Sequence, residues 1–300
     1  VANAGAPSQN SSPRPFRTME SVSRTETIVA YTLLILGSIV FLIPFYFVVN
    51  ASLKSEAEVN AGHFVSPPRS LSEIRFSNYR RALAPDKMNF WPALSNTVVI
   101  TTLSVIGQVI SCSLVGFGFA RFSFRGRNML FMLMLSTLML PAQVVMIPLF
   151  ILFRTLGMID TFWPLIVPMW LASPFYVFMF RQFFAQIPEE LIEAARIDGA
   201  SNWRVYWQLM LPLSGPVIAI VSIYTFLASW NDFMNPLIYL NSPYNRTLAL
   251  ALNAFRGQYG VSDAHLLMAA AVVCMIPCVV LFFAAQKYFV ESVAMTGLKS

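Results

Sequence analysis

Six stretches of the amino-acid sequence each run for twenty residues or more without a charged side chain. They cover residues 27–53, 88–120, 128–153, 161–180, 205–231 and 264–286. Because a helix rises about 1.5 Å per residue, roughly 20 apolar residues cross the ~30 Å hydrocarbon layer of a membrane. The 300 residues are 57% hydrophobic and 11% charged, whereas soluble domains carry about 25% charged residues. These patterns exclude a soluble enzyme, a disordered chain, a disulfide scaffold and a nucleic-acid-binding domain.

The predicted fold class is therefore all-α, a polytopic membrane protein with six transmembrane helices. We expect a leader over 1–27, a membrane domain over 28–289 and a tail over 290–300. The predicted spans are 28–49, 94–120, 129–152, 162–184, 214–240 and 266–289. The first window is expected to be a span and not a cleaved signal peptide, since no small-residue cleavage pattern follows it. The long connection 50–92 has room for short helices or strands but not for a second core.

Basic residues predict that both termini are cytoplasmic, since Lys and Arg concentrate in short cytoplasmic loops. Arg121, Arg125 and Arg127 fall within one short connection, whereas the following connection holds a single arginine. Orientation then explains the net charge of +6 without an acidic partner. The 50–92 connection carries six basic residues on the opposite side, but its length and its four acidic residues weaken the rule there.

Prolines and small residues predict a kinked and closely packed bundle. Each proline removes a backbone donor from its helix, and nine lie in or beside the spans: Pro44, Pro141, Pro148, Pro164, Pro168, Pro174, Pro216, Pro236 and Pro277. Gly116 and Gly118 favour the close approach of a neighbouring helix. Cys112, Cys274 and Cys278 fall in apolar windows, which predicts small buried hydrophobes and no metal site.

Residues 185–213 form a long connection with a helical pattern of its own. Pro188 followed by Glu189 indicates a helix start, because proline is tolerated there and acids favour the positive end of the helix dipole. Asp198 and Gly199 indicate the end of this helix, since glycine most readily adopts the left-handed cap. The pattern predicts a first short helix that stops at a glycine turn.

A second short helix is predicted after this turn. Ser201 is suited to cap its start, and Pro212 marks its end. Apolar side chains, including Tyr206 and Trp207, are expected to face away from the bundle. Such a surface suits either a partner protein or the lipid interface, and the residues alone do not choose between them.

The same segment resembles the EAA loop of ABC importer permeases. That family's pattern is EAA, three residues, Gly, nine residues and Ile-x-Leu-Pro, and the sequence departs from it only by Leu209 in place of Ile. The matching residues are Glu193, Ala194, Ala195, Gly199, Leu211 and Pro212, and Met210 stands at the unspecified position. The carbohydrate-uptake branch is also similar at three further places, namely Asp198 and Ala200 beside the glycine, residues 230–238, and residues 295–299.

The resemblance implies a type I importer permease fold and a multi-pass location in the bacterial cytoplasmic (inner) membrane. The partners it implies are a second, different permease subunit, two copies of a cytoplasmic ABC ATPase, an extracytoplasmic solute-binding protein and the lipid bilayer. The expected solute is a sugar or a related compound, such as an oligosaccharide, a polyol or a glycerol phosphate. A nucleic-acid partner is not expected.

The ATPase-coupling residues implied by the resemblance are Glu193, Ala194, Ala195, Asp198, Gly199, Ala200, Trp203 and Pro212. Glu193 is expected to contact arginine or backbone donors of the ATPase. The alternative is an ion pair with Arg196 on the same helix. Since the chain has no Gly-x-x-x-x-Gly-Lys-Ser/Thr loop and no Ser-His-acid set, we expect a non-catalytic subunit without cofactors, with ATP hydrolysed by the partner.

Polar residues inside the spans are candidates for the solute pathway, because sugars need hydrogen-bond partners. The candidates are Asn96, Gln108, Gln143, Tyr224, Asn231, Asp232 and Asn235. Asp232 is the most informative, since an acid near a span end is unfavourable unless it faces protein, water or a partner. Its alternative role is a hydrogen bond at a helix terminus.

The alternative function is a secondary transporter or channel that needs no ATPase. Such a protein is expected to contain paired intramembrane charges and an internal repeat. The sequence offers Asp232 alone and no evident repeat. The importer permease is therefore the preferred prediction.

Overall fold

The structure, a computed structural model, describes residues 24–63, 66–67, 73–255 and 263–297, and it describes no side chain at 254 or at 287–297. The predicted leader up to residue 23 and the last three residues of the predicted tail lie outside the described residues. Regular structure in the described ranges is helical, without strands. The chain divides into two compact units, Val1–Phe47 and Val48–Ser300.

The helices of the described ranges are numbered here in chain order. They are α1 Arg24–Ser52, α2 Glu56–Asn60, α3 Ser77–Ala82, α4 Phe90–Arg121, α5 Arg127–Ser136, α6 Ala142–Thr155, α7 Trp163–Ile166, α8 Pro174–Gln186, α9 Glu189–Ile197, α10 Asn202–Val205, α11 Leu211–Leu213, α12 Gly215–Trp230, α13 Met234–Tyr239, α14 Leu248–Leu252 and α15 Ala264–Gly297. Short 3-10 turns cover Thr137–Met139, Val167–Trp170, Pro243–Asn245 and Asn253–Phe255, and a π-helical turn covers Tyr206–Met210.

Four helical stretches of the described residues are long and apolar enough to cross a membrane. They are Arg24–Ser52, Phe90–Arg121, Trp163–Gln186 and Ala264–Gln286. Two bent pairs of helices raise the number to as many as six if each pair forms one span. The four stretches correspond to the first, second, fourth and sixth predicted spans.

The prediction of one helix over 129–152 is wrong. Its two halves, Arg127–Met139 and Ala142–Thr155, are bent by 98°. The break has a local cause at Pro141, because the ring of a proline disfavours the helical conformation in the residue before it. Leu140 is accordingly extended, with φ −79° and ψ 119°.

The prediction of one helix over 214–240 is also wrong. α12 stops at Trp230, and α13 begins only at Met234. At its other end, α12 follows the stretch Asn202–Leu213 at a bend of 76°. The interrupted segment places polar residues 231, 232 and 235 on non-helical backbone or at the start of the short helix α13.

Helix α4 runs for 32 residues and packs against α8 and α12. A Cβ at Gly116 would lie 2.7 Å from the Cβ of Phe180, and a Cβ at Gly107 would lie 2.3 Å from the ring of Trp170. Glycine at these two positions therefore permits the close packing of α4 against the stretch 163–186. Among the described residues, a Cβ at Gly118 would meet nothing within 4 Å, so the predicted close approach is confirmed at Gly116 and wrong at Gly118.

One of the buried clusters joins α4, α8 and α12 to residues 187–210. Its members are Cys112, Phe117, Val177, Phe180, Phe184, Ile187, Ile192, Val205, Tyr206, Met210, Val217 and Val221. Since burial of apolar surface contributes about 25 cal/mol per Å², this cluster fixes the two short helices after α8 to the long helices.

Candidate functional site

Residues 188–213, called the helix pair below, form the two short helices that the sequence predicts. Pro188 is the N-cap of α9, with extended backbone at φ −55° and ψ 137°. Glu189 and Glu190 occupy the first turn, where carboxylates interact favourably with the unpaired backbone N–H groups and the helix dipole. The helix start therefore follows from local sequence alone.

Gly199 forms the turn between the two helices, with φ +81°. The backbone N–H of Ala200 donates to the carbonyl of Ala195 at 2.9 Å, and that of Gly199 donates to Arg196 at 3.0 Å. These two bonds define a Schellman motif, which satisfies carbonyls at the helix end and requires a left-handed residue. The prediction of a positive φ at Gly199 is confirmed.

The spacing of the alanines and the glycine has a physical reason in this motif. Ala195 and Ala200 are both half-buried and pack against the cluster that joins the helix pair to the bundle. A contact between the third residue from the helix end and the second residue beyond it often accompanies a Schellman motif. Small side chains at both places allow α9 and the following segment to approach the bundle closely.

The second half of the helix pair begins at Ser201. Its hydroxyl accepts a hydrogen bond from the backbone N–H of Arg204 at 3.3 Å, which confirms the predicted cap. α10 continues without interruption into the π-helical turn at 206–210 and then into α11, so the segment passes Pro212 and ends at Leu213. π-Helical turns occur frequently at functional sites.

The inner face of the helix pair is anchored by Tyr206, which is 1% exposed. Its hydroxyl forms a hydrogen bond of 2.7 Å with the hydroxyl of Ser113 on α4. Its ring lies 5.4 Å from that of Phe117. The expectation that Tyr206 faces away from the bundle is therefore wrong, because its ring fills the core and its polar end has a partner there.

The outer face of the helix pair carries large apolar side chains. Ile197 is 86% exposed and Trp203 is 59% exposed, and Leu191 and Trp207 are also exposed. Isolated exposed apolar groups are ordinary, whereas a contiguous set indicates an interaction surface. The rings of Trp203 and Trp207 lie 5.8 Å apart, so the two indoles form one such set.

Glu193 is exposed on this helix pair. In the described part of the chain its carboxylate forms no ion pair. Arg196, the alternative partner, donates to the side chain of Asn202 at 3.4 Å. Of the other residues predicted to couple to the ATPase, Ala195 and Ala200 are half-buried. The rest are exposed, namely Ala194, Asp198, Gly199, Trp203 and Pro212. The helix pair therefore presents an acidic group beside an apolar surface.

A second candidate region is a cavity of about 230 Å³ between α4, α12, α13 and the turn before α14. Half of its lining is polar, with Thr97, Ser229, Asp232, Asn235 and Thr247 facing Ile100, Leu165, Met169, Ala228 and Pro236. Asp232 accepts hydrogen bonds from the backbone and side-chain nitrogens of Asn235 at 3.2 and 2.8 Å. Its carboxylate thus both lines the cavity and bonds to the start of α13.

The remaining pathway candidates are dispersed. Asn96 donates to the carbonyls of Tyr244 and Arg246 at 2.7 and 3.0 Å, and Asn231 lines a different cavity of about 550 Å³. Gln143 on α6 and Tyr224 on α12 are exposed. Of the pathway candidates, the structure brings Asp232 and Asn235 together, and it places Thr97, Ser229 and Thr247 in the same cavity.

Gln108 of α4 is buried against the segment that joins α7 to α8. With its amide oriented so that both atoms have partners, its nitrogen donates to the carbonyl of Met169 at 2.9 Å and its oxygen accepts from the N–H of Ser173 at 3.1 Å. The side chain therefore replaces backbone hydrogen bonds that the break between the two helices removes. This arrangement gives Gln108 a structural role.

Asp160 fastens the turn after α6 to the turn after α13, at the Phe90 end of α4. Its carboxylate accepts hydrogen bonds from the backbone N–H groups of Asn241 and Ser242, both at 2.9 Å, and from the Ser242 hydroxyl. The Ser242 side chain, followed by its backbone N–H, lowers the pKa of Asp160 to about 2. Asp160 also adopts φ +61°, a conformation that aspartate tolerates better than most residues.

The hydrogen bonds that the Asp160 carboxylate accepts predict a specific pH dependence of stability. Because the pKa of Asp160 is lowered by folding, its stabilisation is complete above its ordinary value of about 4 and disappears as the pH falls towards 2. Asp160→Asn is expected to lower the Tm at neutral pH, and this difference should shrink progressively below about pH 4. Thermal unfolding of purified protein in detergent measures it. A Tm difference that stays constant down to that range would contradict the assignment.

The chemistry available at these sites is that of contact and hydrogen bonding. In the described residues no three His, Cys, Asp or Glu side chains come together as a metal site. Cys112 and Cys274 are buried in apolar surroundings, and Cys278 is half-buried. His265, at the start of α15, is 2% exposed.

Residues 112–295 match the family described as binding-protein-dependent transport system inner membrane component. The chain is 37% identical over 210 residues to the arabinooligosaccharides transport system permease protein AraQ of Halalkalibacterium halodurans, covering 70% of this chain and 75% of that protein. It is 33% identical over 267 residues to the sn-glycerol-3-phosphate transport system permease protein UgpE of Shigella flexneri, covering 88% of this chain and 95% of that protein. It is 31% identical over 282 residues to the diacetylchitobiose uptake system permease protein NgcG of Streptomyces coelicolor, covering 93% and 91%.

Solved structures show the same fold. One chain in the crystal structure of a bacterial ABC transporter involved in the import of the acidic polysaccharide alginate superposes with a TM-score of 0.76 and 25% identity, covering 89% of this chain and 98% of that chain. A chain of the bacterial alginate ABC transporter in complex with alginate pentasaccharide-bound periplasmic protein superposes with a TM-score of 0.59 and 15% identity, covering 87% and 93%. The second likeness concerns the fold alone.

Proposed function

Since this chain belongs to the family of binding-protein-dependent transport system inner membrane components, we propose that it forms part of the solute pathway of an ABC importer for an oligosaccharide or a related solute. The proposed solute class draws on the relatives, which are named for arabinooligosaccharides, diacetylchitobiose and sn-glycerol 3-phosphate. Two of these are built from sugar units, and the third is a small polyol phosphate. All three are rich in hydroxyl or charged groups that need polar partners.

The observation that carries the proposal is the helix pair. Its inner face is fixed to α4, α8 and α12 by a buried cluster, while its outer face exposes Ile197, Trp203 and the carboxylate of Glu193. An apolar surface beside an unpaired acid suits a protein cleft with a cationic or N–H donor. A lipid headgroup region would instead favour an excess of lysine and arginine, whereas residues 188–213 carry four acids and two arginines. We therefore assign this surface to docking on a separate ABC ATPase subunit.

The proposed arrangement in the membrane has six spans and both termini in the cytoplasm. Four are the long helical stretches, one is the bent pair Arg127–Met139 and Ala142–Thr155, and one is the predicted span 214–240, which begins at α12 after the bend of 76°. The helix pair and the loop at Arg121 then lie on the cytoplasmic side. The Asp160 fastening lies on the opposite side, where a solute-binding protein delivers its cargo. The proposed partners are a second, different permease, two ATPase subunits and this binding protein, with ATP hydrolysis assigned to the ATPase.

The polar cavity is proposed as a part of the pathway that this chain contributes. Asp232 and Asn235 lie there with Thr97, Ser229 and Thr247, which supplies both hydrogen-bond donors and acceptors. Its apolar wall, including Leu165 and Met169, suits the flat face of a sugar ring. The two bonds from Asn235 orient the Asp232 carboxylate, and the other polar candidates lie elsewhere.

Substitution of Glu193 tests the docking assignment. Glu193→Lys is expected to weaken binding of the ATPase, because it replaces an acid with a like charge against a cationic or N–H donor partner. Loss of one charge-assisted contact corresponds to roughly 1.5–3 kcal/mol, so we expect at least a tenfold weaker association. The measurement is titration of the ATPase onto the permease complex in nanodiscs. Glu190→Lys changes the same charge on the same helix and serves as the control.

The proposed function is tested by solute uptake into vesicles that contain the assembled importer. We expect uptake of arabino-oligosaccharide, diacetylchitobiose or glycerol 3-phosphate only when ATP, ATPase and binding protein are all present. Uptake driven by an ion gradient without ATP would overturn the proposal and would favour a secondary transporter. Equal uptake with and without ATP down a concentration gradient would favour a channel.

A further inference from the structure

Arg121 is the last residue of α4, and its side chain is turned into the protein with only 8% of it exposed. Its guanidinium donates to the carboxylate of Glu189 at 2.6 Å. It also donates to the backbone carbonyls of Phe184 and Ile187. One side chain thus contacts the last turn of α8, the bend that follows it and the first residue of α9.

The acceptors suit an arginine for two separate reasons. The carbonyl of Phe184 accepts a capping bond from the N–H of Ile187 at 3.3 Å and has a second lone pair for Arg121. A cation at this end of α8 also interacts favourably with the helix dipole. The planar guanidinium offers several N–H donors in a fixed geometry, which lysine does not. A single residue can therefore cap α8 and hold Glu189 at the same time.

The charge rule for membrane orientation does not account for this placement. That rule needs positive charge near the span ends, and Arg125 of the same connection, which is exposed, supplies it. Arg127 donates to the nearby carbonyl of Phe122 at 3.3 Å. Within the residues that the structure describes, Arg121 alone of these three bonds to a distant part of the chain, which points to a positional role.

The opposite end of α4 is tied in a comparable way. Asn96 donates to the carbonyls of Tyr244 and Arg246, and the hydroxyl of Thr97 accepts from the N–H of Leu248 at 2.8 Å. α4 therefore has polar attachments to the helix pair at one end and to the segment 244–248 at the other. The segment between them is one continuous helix.

We propose that Arg121 is a positioning residue that fixes the root of the helix pair to α4, so that displacement of the helix pair moves α4 as a rigid rod. This inference rests on the proposed function, because the displacement is that of an ATPase-docked helix pair. Rigid elements with fixed attachments transmit small shifts better than flexible links. Without Arg121, α9 remains attached through its apolar cluster but is free to pivot at residues 187–188.

The test compares Arg121→Met with Arg125→Met in the assembled importer. Both variants remove one positive charge from the same connection, but only the first removes the contacts to α8 and α9. We expect Arg121→Met to lower solute imported per ATP hydrolysed by roughly fivefold or more, the lower range of typical coupling free energies. Arg125→Met should retain the wild-type ratio. A merely structural defect would reduce the amount of assembled complex and leave the ratio unchanged.

A second pair of variants keeps the test decisive if Arg121→Met does not assemble. Glu189→Gln removes only the ion pair and should cause a smaller fall in the ratio, while Arg121→Lys keeps the charge but is expected to restore coupling only in part. Wild-type ratios in both Glu189→Gln and Arg121→Lys would overturn the proposal, as would an equal fall in Arg125→Met. ATP-independent uptake by the wild type would instead overturn the proposed function itself.

Discussion

An importer that carries Gly199→Val is expected to hydrolyse ATP with little import of solute. Gly199 has φ +81°, a conformation that is unfavourable by roughly 1–2 kcal/mol for residues with a Cβ and is worse for a branched one. Relief of this strain would break the two hydrogen bonds of the Schellman motif and turn α9 relative to α10. Since 1–2 kcal/mol corresponds to a factor of about 5–30, import per ATP should fall by that factor.

The substitution Gly199→Asn separates backbone strain from steric clash. A Cβ at this position meets nothing within 4 Å in the part of the chain that the structure describes, so both side chains have room. Asparagine adopts the left-handed conformation more readily than valine, and Gly199→Asn should therefore keep most of the coupling. The measurement is the ratio of imported solute to hydrolysed ATP in reconstituted vesicles. Equal ratios for the two variants would show that the left-handed turn is not what matters.

The second large effect is expected at the contact between α4 and α8. Gly116→Val would place a Cβ 2.7 Å from the Cβ of Phe180 and 3.1 Å from the backbone nitrogen of Arg181. These neighbours cannot swing aside as a flexible side-chain end could, so the helices must separate. Overpacking of this kind is unfavourable by about 1–3 kcal/mol and sometimes more. We expect a clearly lower Tm and less folded protein in detergent.

Gly118→Val is the matched control for this prediction. It introduces the same branched side chain into the same helix two residues away, where nothing lies within 4 Å. Any fall in Tm that comes from the helix propensity of valine appears in both variants. A Tm as low for Gly118→Val as for Gly116→Val would contradict the packing that the structure shows.

The sequence predicted where the long apolar helices lie better than it predicted their shapes. A charge-free window is visible from the positions of the charged residues alone, and each of the six contains helix in the structure. The bends depend on how each proline is accommodated. Pro44, Pro148 and Pro277 lie inside continuous helices, whereas Pro141 lies at a bend of 98°. Tertiary packing decides between these outcomes, and the residue type alone does not carry that information.

In the candidate site, too, the sequence predicted the local features but not the contacts between distant residues. The turn at Gly199 and the cap at Ser201 involve residues close together in sequence, so local chemistry predicted them. The anchoring of Tyr206 on Ser113 and of Glu189 on Arg121 joins residues 93 and 68 positions apart. The cavity likewise combines Thr97 with residues from α12 and α13. Such contacts follow from the fold, and a pattern in one segment cannot reveal them.

Photo-cross-linking from the helix pair tests the central claim most directly, namely that this surface docks on a separate ATPase. A photoreactive amino acid would replace Trp203, which is 59% exposed, and Tyr244, which is 77% exposed near the other end of α4. We expect a covalent adduct between position 203 and the ATPase in native membranes, and none between position 244 and the ATPase. Adducts of position 203 with lipid alone would contradict it.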